Sequence, residues 1–94
     1  MKLEDAIASI HVKSVTGPLN IDVSGVFYDS RKVSTGGVFC ALKGVGSDGH
    51  EFIESAIENG AVAIVSEKPY PAEFTGTWLH VADARGAMGR IAAN

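Results

Sequence analysis

The sequence predicts an α/β domain with a small mixed sheet, a βαβ unit and flanking helices, mainly from two apolar segments with a helical pattern between them. Residues 38–42 and 61–65 are apolar at every position, which is typical of strands covered on both faces. Between them, residues 49–59 carry apolar side chains at helical spacing and end at Asn59-Gly60, a common helix stop. A strand, a helix and a strand in this order predict a parallel pair joined by a right-handed crossover.

The N-terminal part of the chain predicts a covering helix followed by peripheral strands. Over residues 2–10, apolar residues recur at helical spacing behind an acidic first turn, which favours an amphipathic helix. Residues 11–20 mix apolar and polar residues around a Gly-Pro pair, which favours either a short edge strand or an irregular connector. Residues 21–28 predict a strand that enters a polar turn at Asp29-Ser30.

The helix over residues 49–59 has Asp48 as its predicted N-cap, because Glu51 follows three residues later as in a capping box. Its apolar positions are expected to face the core. These positions are Phe52, Ile53, Ala56 and Ile57.

The C-terminal part predicts a loop over residues 67–76, a strand over 77–81 and a helix over 83–93 with Asp83 as N-cap. The apolar pattern of this last helix continues without a stop signal. We therefore expect these 94 residues to be one domain of a longer polypeptide.

Composition and charge argue against several classes of partner. The formal net charge is −3, and the longest basic run is the pair Arg31-Lys32, which argues against nucleic acid and anionic membranes. The N-terminus is acidic where a leader would be basic, and no apolar run approaches the length of a membrane span, which predicts a cytoplasmic protein. The single cysteine, Cys40, lies in an apolar strand and is predicted to be a buried, inert thiol.

The turn Asp29-Ser30-Arg31 offers an acceptor, a hydroxyl and a guanidinium group at the end of a predicted strand. Together these groups suit a polar ligand such as a nucleotide. The alternative is an Asx-turn with a solvated arginine, which the residues alone leave open.

A glycine-rich loop over residues 43–50 follows the second strand, and its glycines would let the backbone approach a ligand closely. Asp48 would repel an anion, which favours uracil, ribose or a sugar over phosphate. His50 would be a polar wall of this loop or simply exposed. No P-loop spacing occurs, and the histidines have no partners at ligand spacing, which argues against ATP and metal sites.

Several longer blocks of the sequence resemble one known family. They are similar to the N-terminal domain of the Mur ligases, most closely the UDP-N-acetylmuramoyl-tripeptide synthetase type. One block alone would be weak evidence, whereas four in the right order are strong. The blocks are residues 25–33, 36–44, 48–57 and 60–65, with a weaker one at 81–85.

The resemblance implies that residues 1–94 hold the UDP end of UDP-N-acetylmuramoyl-L-alanyl-D-glutamate. The whole enzyme would join a third amino acid to this substrate in cytoplasmic peptidoglycan synthesis, using ATP and Mg²⁺. Its central ATPase domain and C-terminal domain, which would pack with this one, are not among these residues. We therefore expect the chain alone to bind the UDP portion, to contain no catalytic or metal-binding residue, and to turn nothing over.

By the same resemblance, the uridine-binding serine of the family falls on Ser30, and a residue that lines the pocket falls on Tyr28. The ligand-binding loop falls on Val45, Gly46 and Ser47. Around these positions, the supporting residues are expected to be Asp29, Arg31, Asp48 and His50.

Two alternatives remain at this point. One is the ligase type that adds D-alanyl-D-alanine, which Tyr28 before Asp29 makes less favoured. The other is a non-catalytic α/β interaction domain.

Overall fold

A five-stranded sheet organises the computed structural model, which describes residues 1–44, 47–48, 52–69 and 76–93. A two-stranded antiparallel pair accompanies it. In chain order the elements are α1 (Leu3–Ala6), β1 (Val12–Thr16), β2 (Gly25–Phe27), a 3₁₀ turn (Ser30–Lys32), β3 (Gly37–Cys40), β4 (Lys43–Gly44), β5 (Ser47–Asp48), α2 (Ile53–Glu58), β6 (Ala61–Ser66), β7 (Thr77–Val81) and α3 (Ala84–Ala93).

The order of strands in the large sheet is β1-β7-β6-β3-β2. β3 pairs in parallel with β2 on one side and with β6 on the other, and β7 pairs in parallel with β6. β1 pairs antiparallel with β7 at the edge, so the sheet is mixed. The predicted βαβ unit is therefore confirmed as β3, α2 and β6, and the segment 11–20 supplies an edge strand rather than a connector.

The sheet has an apolar core on each face, and β3 contributes to both. Val38 and Cys40 pack on the face that α1 and α3 cover, whereas Phe39 and Ala41 pack on the face that α2 covers. All four residues of β3 are buried. Burial on both faces explains why this segment shows no polar alternation.

The N-terminal segment forms backbone hydrogen bonds with residues 21–23, which the sequence had placed in a longer strand. Leu3 N–H donates to the Ile21 carbonyl at 2.8 Å, and Val23 N–H donates to the Met1 carbonyl at 2.7 Å. These bonds leave only Gly25–Phe27 for β2, so the strand predicted over 21–28 is shorter. The first helix is also shorter than residues 2–10, because turn-type bonds between residues three apart replace the helical pattern after Ala6.

The prediction that Asp48 caps α2 is wrong. The backbone of Asp48 pairs with Lys43 in the β4–β5 hairpin, and α2 begins only at Ile53, directly after Phe52. Residues 49–51 lie outside the described part. Of the predicted core positions in α2, Ala56 is buried, whereas Phe52 and Ile57 are exposed.

The final helix has the predicted start. The Asp83 carboxylate accepts a hydrogen bond from the Gly86 N–H at 3.0 Å, which is the geometry of an N-cap side chain. The Glu67 carboxylate accepts a second bond, from the Ala84 N–H at 2.9 Å. Two of the free donors at the start of α3 are thus satisfied by side chains.

Candidate functional site

An open cleft of about 510 Å³ lies where the chain leaves β2 and where α2 begins. The turn after β2 leads into β3, and α2 leads into β6; both β3 and β6 are central strands of the sheet. The described residues that line it are Tyr28, Asp29, Ser30, Arg31, Phe52 and Ser55.

The turn that carries Ser30 is shaped by Asp29. Asp29 has extended backbone angles, and its carboxylate accepts a hydrogen bond from the Arg31 N–H at 3.0 Å. This bond closes an Asx-turn and starts the 3₁₀ turn at Ser30. The Asx-turn that the sequence analysis left open as an alternative is therefore present. The same turn also places Ser30 in the cleft.

Ser30 is 6% exposed, and its backbone carbonyl accepts a hydrogen bond from the Asn59 side chain at 2.8 Å. Within the described residues, the Ser30 hydroxyl forms no hydrogen bond, whereas every fully buried side-chain polar atom there has a partner. The hydroxyl therefore keeps contact with the open space of the cleft. It is free to donate to a ligand or to accept from one.

Asp29 and Arg31 also form a two-point ion pair. Arg31 Nε and Nη2 donate to the two carboxylate oxygens at 3.1 and 3.0 Å. These hydrogen bonds lower the pKa of Asp29 and raise the pKa of Arg31. The pair orients the guanidinium group beside the cleft and offsets its charge, so the turn is not a strong anion site.

Phe52 is a lining residue that the sequence analysis did not identify. It is 43% exposed, and Tyr28 on the other element is 66% exposed. Helical spacing had predicted Phe52 to be in the core, but it immediately precedes α2, where that spacing does not apply. Ser55 and Asn59 were also missed, and no local sequence pattern marks either as part of a site.

The glycine-rich loop is described only in part. Val45, Gly46 and His50 lie outside the described residues, whereas the backbone of Ser47 and Asp48 forms β5. The structure thus brings Tyr28, Asp29, Ser30 and Arg31 together in one cleft. That the loop shares this cleft stays a prediction.

Neither the sequence motifs nor the described side chains fit an ATP–Mg²⁺ site. The chain contains no P-loop spacing, and the described ranges hold no cluster of three or more His, Cys, Asp or Glu side chains able to bind a metal. None of the helices in the described ranges has the length and apolar character of a membrane span.

Comparison with known proteins decides the family. Residues 22–94 match the family described as "Mur ligase family, catalytic domain". The chain belongs to the Mur ligase family. This match confirms the resemblance noted from the sequence blocks, the first of which begins at residue 25.

Individual Mur ligases match over nearly the whole chain. The UDP-N-acetylmuramoyl-L-alanyl-D-glutamate--2,6-diaminopimelate ligase of Geobacter sulfurreducens is 50% identical over 93 residues, covering 99% of this chain and 18% of that protein. The ligase of the same name from Syntrophomonas wolfei is 42% identical, covering 100% of this chain and 19% of that protein. The chain thus spans about a fifth of the length of these relatives.

A solved Mur ligase structure confirms the fold class. The crystal structure II of MurF from Acinetobacter baumannii superposes with a TM-score of 0.71 at 30% identity, covering 95% of this chain and 19% of that one. The fold of the 94 residues therefore occurs as one part of a larger ligase.

Proposed function

We propose that this chain is the UDP-binding N-terminal domain of a cytoplasmic ligase that adds the third amino acid to UDP-N-acetylmuramoyl-L-alanyl-D-glutamate in peptidoglycan synthesis. The observation that carries the proposal is the cleft in which the otherwise buried Ser30 presents a hydroxyl that has no hydrogen-bond partner among the described residues. A curated relative named for this substrate, from Geobacter sulfurreducens, is 50% identical to the chain, which supports the choice of ligase type.

The cleft acts by position rather than by chemistry. A Ser30 hydroxyl on the uridine and an ion-paired Arg31 beside it would hold one end of a long substrate. Binding of this remote end orients the substrate carboxylate that reacts in another domain. The binding energy thereby lowers the entropic part of the activation barrier for bond formation. ATP and Mg²⁺ would act in the other domains of the ligase, because the residues here do not fit them.

The second candidate is the ligase type that adds D-alanyl-D-alanine. It is favoured by one observation, that the structure superposes on MurF from Acinetobacter baumannii. The sequence identity there is 30%, against 50% for the diaminopimelate ligase of Geobacter sulfurreducens. The third-residue ligase is therefore the better supported of the two.

Titration of UDP against the 94-residue chain, followed by NMR or calorimetry, tests the proposal. We expect a saturable response that Ser30→Ala weakens by about tenfold, since one hydrogen bond to the ligand is lost. Ser14→Ala is a matched control, because Ser14 is an exposed serine on β1, at the opposite edge of the sheet.

Three results would overturn the proposal. A response that is absent or not saturable would remove the UDP site and favour a non-catalytic interaction domain. Equal affinity of the wild type and Ser30→Ala would remove the role of Ser30 and its cleft. ATP-dependent ligation by the 94 residues alone would show that the chain is more than a binding domain.

A further inference from the structure

Two large aromatic side chains are exposed in the described part of the chain, and both line the same cleft. They are Tyr28, in the segment after β2, and Phe52, directly before α2. The described aromatic residues elsewhere, Phe39 and Trp78, are buried in the core, and Phe27 is partly buried. Exposed aromatic area is thus concentrated beside Ser30.

The fold itself gains little from a phenylalanine at position 52. The side chain leaves 43% of its surface exposed, so much of its burial energy is forfeited. Phe52 also occupies the N-cap position of α2 and forms no side-chain cap bond there. Ser, Thr, Asp or Asn at this position would stabilise the helix by accepting a hydrogen bond from its first turn, which Phe cannot do. Neither burial nor capping therefore accounts for a phenylalanine at position 52, and its exposed ring is available to a ligand in the cleft.

The chemistry of the cleft selects the kind of ligand. An aromatic ring recognises a planar partner by stacking, and the Ser30 and Ser55 hydroxyls recognise hydrogen-bonding groups at its edge. A pyrimidine base has both features. A purely apolar ligand would leave the Ser30 and Ser55 hydroxyls without partners.

We propose that Phe52 is the stacking surface for the uracil ring and thereby sets the preference of this cleft for a nucleobase. This inference rests on the proposed function and adds a residue to it. The rival explanation is that Phe52 is covered by another domain of a longer ligase, in which case nucleotide binding by this chain would not depend on it.

The test compares Phe52→Tyr, Phe52→Leu and Phe52→Ala in the 94-residue chain. We expect Phe52→Ala to weaken UDP binding by about tenfold or more, and Phe52→Tyr to keep it within about twofold, because base stacking needs an aromatic face. Phe52→Leu keeps an apolar side chain but loses the ring and should resemble Phe52→Ala. Ile57→Ala is the matched control, since Ile57 is an exposed apolar residue on α2, 41% exposed and not among the lining residues.

The NMR chemical shifts of the bound uracil give a second measurement, which a purely structural role of Phe52 would not affect. A stacked ring shifts the uracil H5 and H6 signals upfield through its ring current, so the shift should persist in Phe52→Tyr and disappear in Phe52→Leu. Inorganic pyrophosphate, which lacks the base, should bind all variants equally weakly.

The outcomes separate this inference from the proposed function. UDP binding that depends on Ser30 but is unchanged in Phe52→Leu and Phe52→Ala, with no ring-current shift in the wild type, would overturn the inference alone. Absence of Ser30-dependent UDP binding in the wild type would overturn the proposed function and the inference together.

Discussion

The Asn59 side chain donates a hydrogen bond of 2.8 Å to the backbone carbonyl of Ser30, 29 residues earlier in the chain. Asn59 is the C-cap of α2, and Ser30 opens the 3₁₀ turn. The bond therefore ties the end of the crossover helix to the turn that lines the cleft. It restrains the backbone at Ser30 in addition to the turn's own hydrogen bonds.

Loss of this bond should affect both stability and binding. We expect Asn59→Ala to lower the free energy of unfolding by about 1 kcal/mol, because a partly buried carbonyl loses its partner. We also expect UDP affinity to fall about threefold as Ser30 gains freedom. Urea denaturation and UDP titration measure the two effects.

Asn20→Ala is the control for Asn59→Ala. Asn20 is exposed, and within the described residues its side chain forms no hydrogen bond. Its removal should change neither quantity. If Asn59→Ala behaves like Asn20→Ala, the tie between α2 and the turn does not hold Ser30 in place.

Asp29 has two roles that different substitutions separate. Asp29→Asn keeps an oxygen that can accept from the Arg31 N–H but removes the charge from the ion pair, whereas Asp29→Ala removes both. Because the turn positions Ser30, we expect Asp29→Ala to weaken UDP binding about fivefold and Asp29→Asn to stay within about twofold. Calorimetric titration of both variants measures this, and equal losses would assign the effect to the ion pair instead.

The elements that sequence reasoning located well are those in which local pattern and burial agree. β3 and β6 were found because both faces of each strand meet the core over most of their length, which leaves an apolar run. The start of α3 was found because Asp83 acts on the backbone only three residues away.

The errors come from bonds between distant or competing backbone groups. The capping-box pattern at Asp48 is local, but pairing with Lys43 takes that residue into a hairpin. β2 is short because backbone groups of residues 21–23 form hydrogen bonds with the N-terminal segment instead of with the sheet. In the site, Ser30 was identified from its polar turn and from the resemblance, and Tyr28 from the resemblance alone. Phe52 and Asn59 depend on tertiary placement that periodicity does not encode.

Two glycines should respond oppositely to alanine. Gly60 follows α2 with a φ of +113°, and an added Cβ would lie 2.6 Å from the Thr35 Cα. Gly60→Ala should therefore destabilise the fold by about 2 kcal/mol or more, through backbone strain and the clash. Gly89 lies inside α3 with no atom within 4 Å of an added Cβ, so Gly89→Ala should stabilise by about 0.5 to 1 kcal/mol.

Thermal or urea unfolding of the two glycine variants measures these changes. The pair controls for the substitution itself, since both replace glycine by alanine. A stable Gly60→Ala variant would mean that the turn after α2 relaxes without disturbing the segment around Thr35.

The Cys40 thiol makes stability depend on pH in the alkaline range. Burial in β3 raises the pKa of Cys40 from 9.0 to about 12. The unfolded chain therefore loses the thiol proton above pH 9 while the folded chain keeps it, so this contribution to stability is complete below pH 9 and is lost between about pH 9 and 12. The slope approaches about 1.4 kcal/mol per pH unit.

Urea unfolding of the wild type and Cys40→Ala at pH 8 and 10 isolates the contribution of the Cys40 thiol, because all other groups titrate in both proteins. Parallel pH profiles, or rapid alkylation of the native thiol at pH 8, would show that Cys40 is accessible and contradict the prediction.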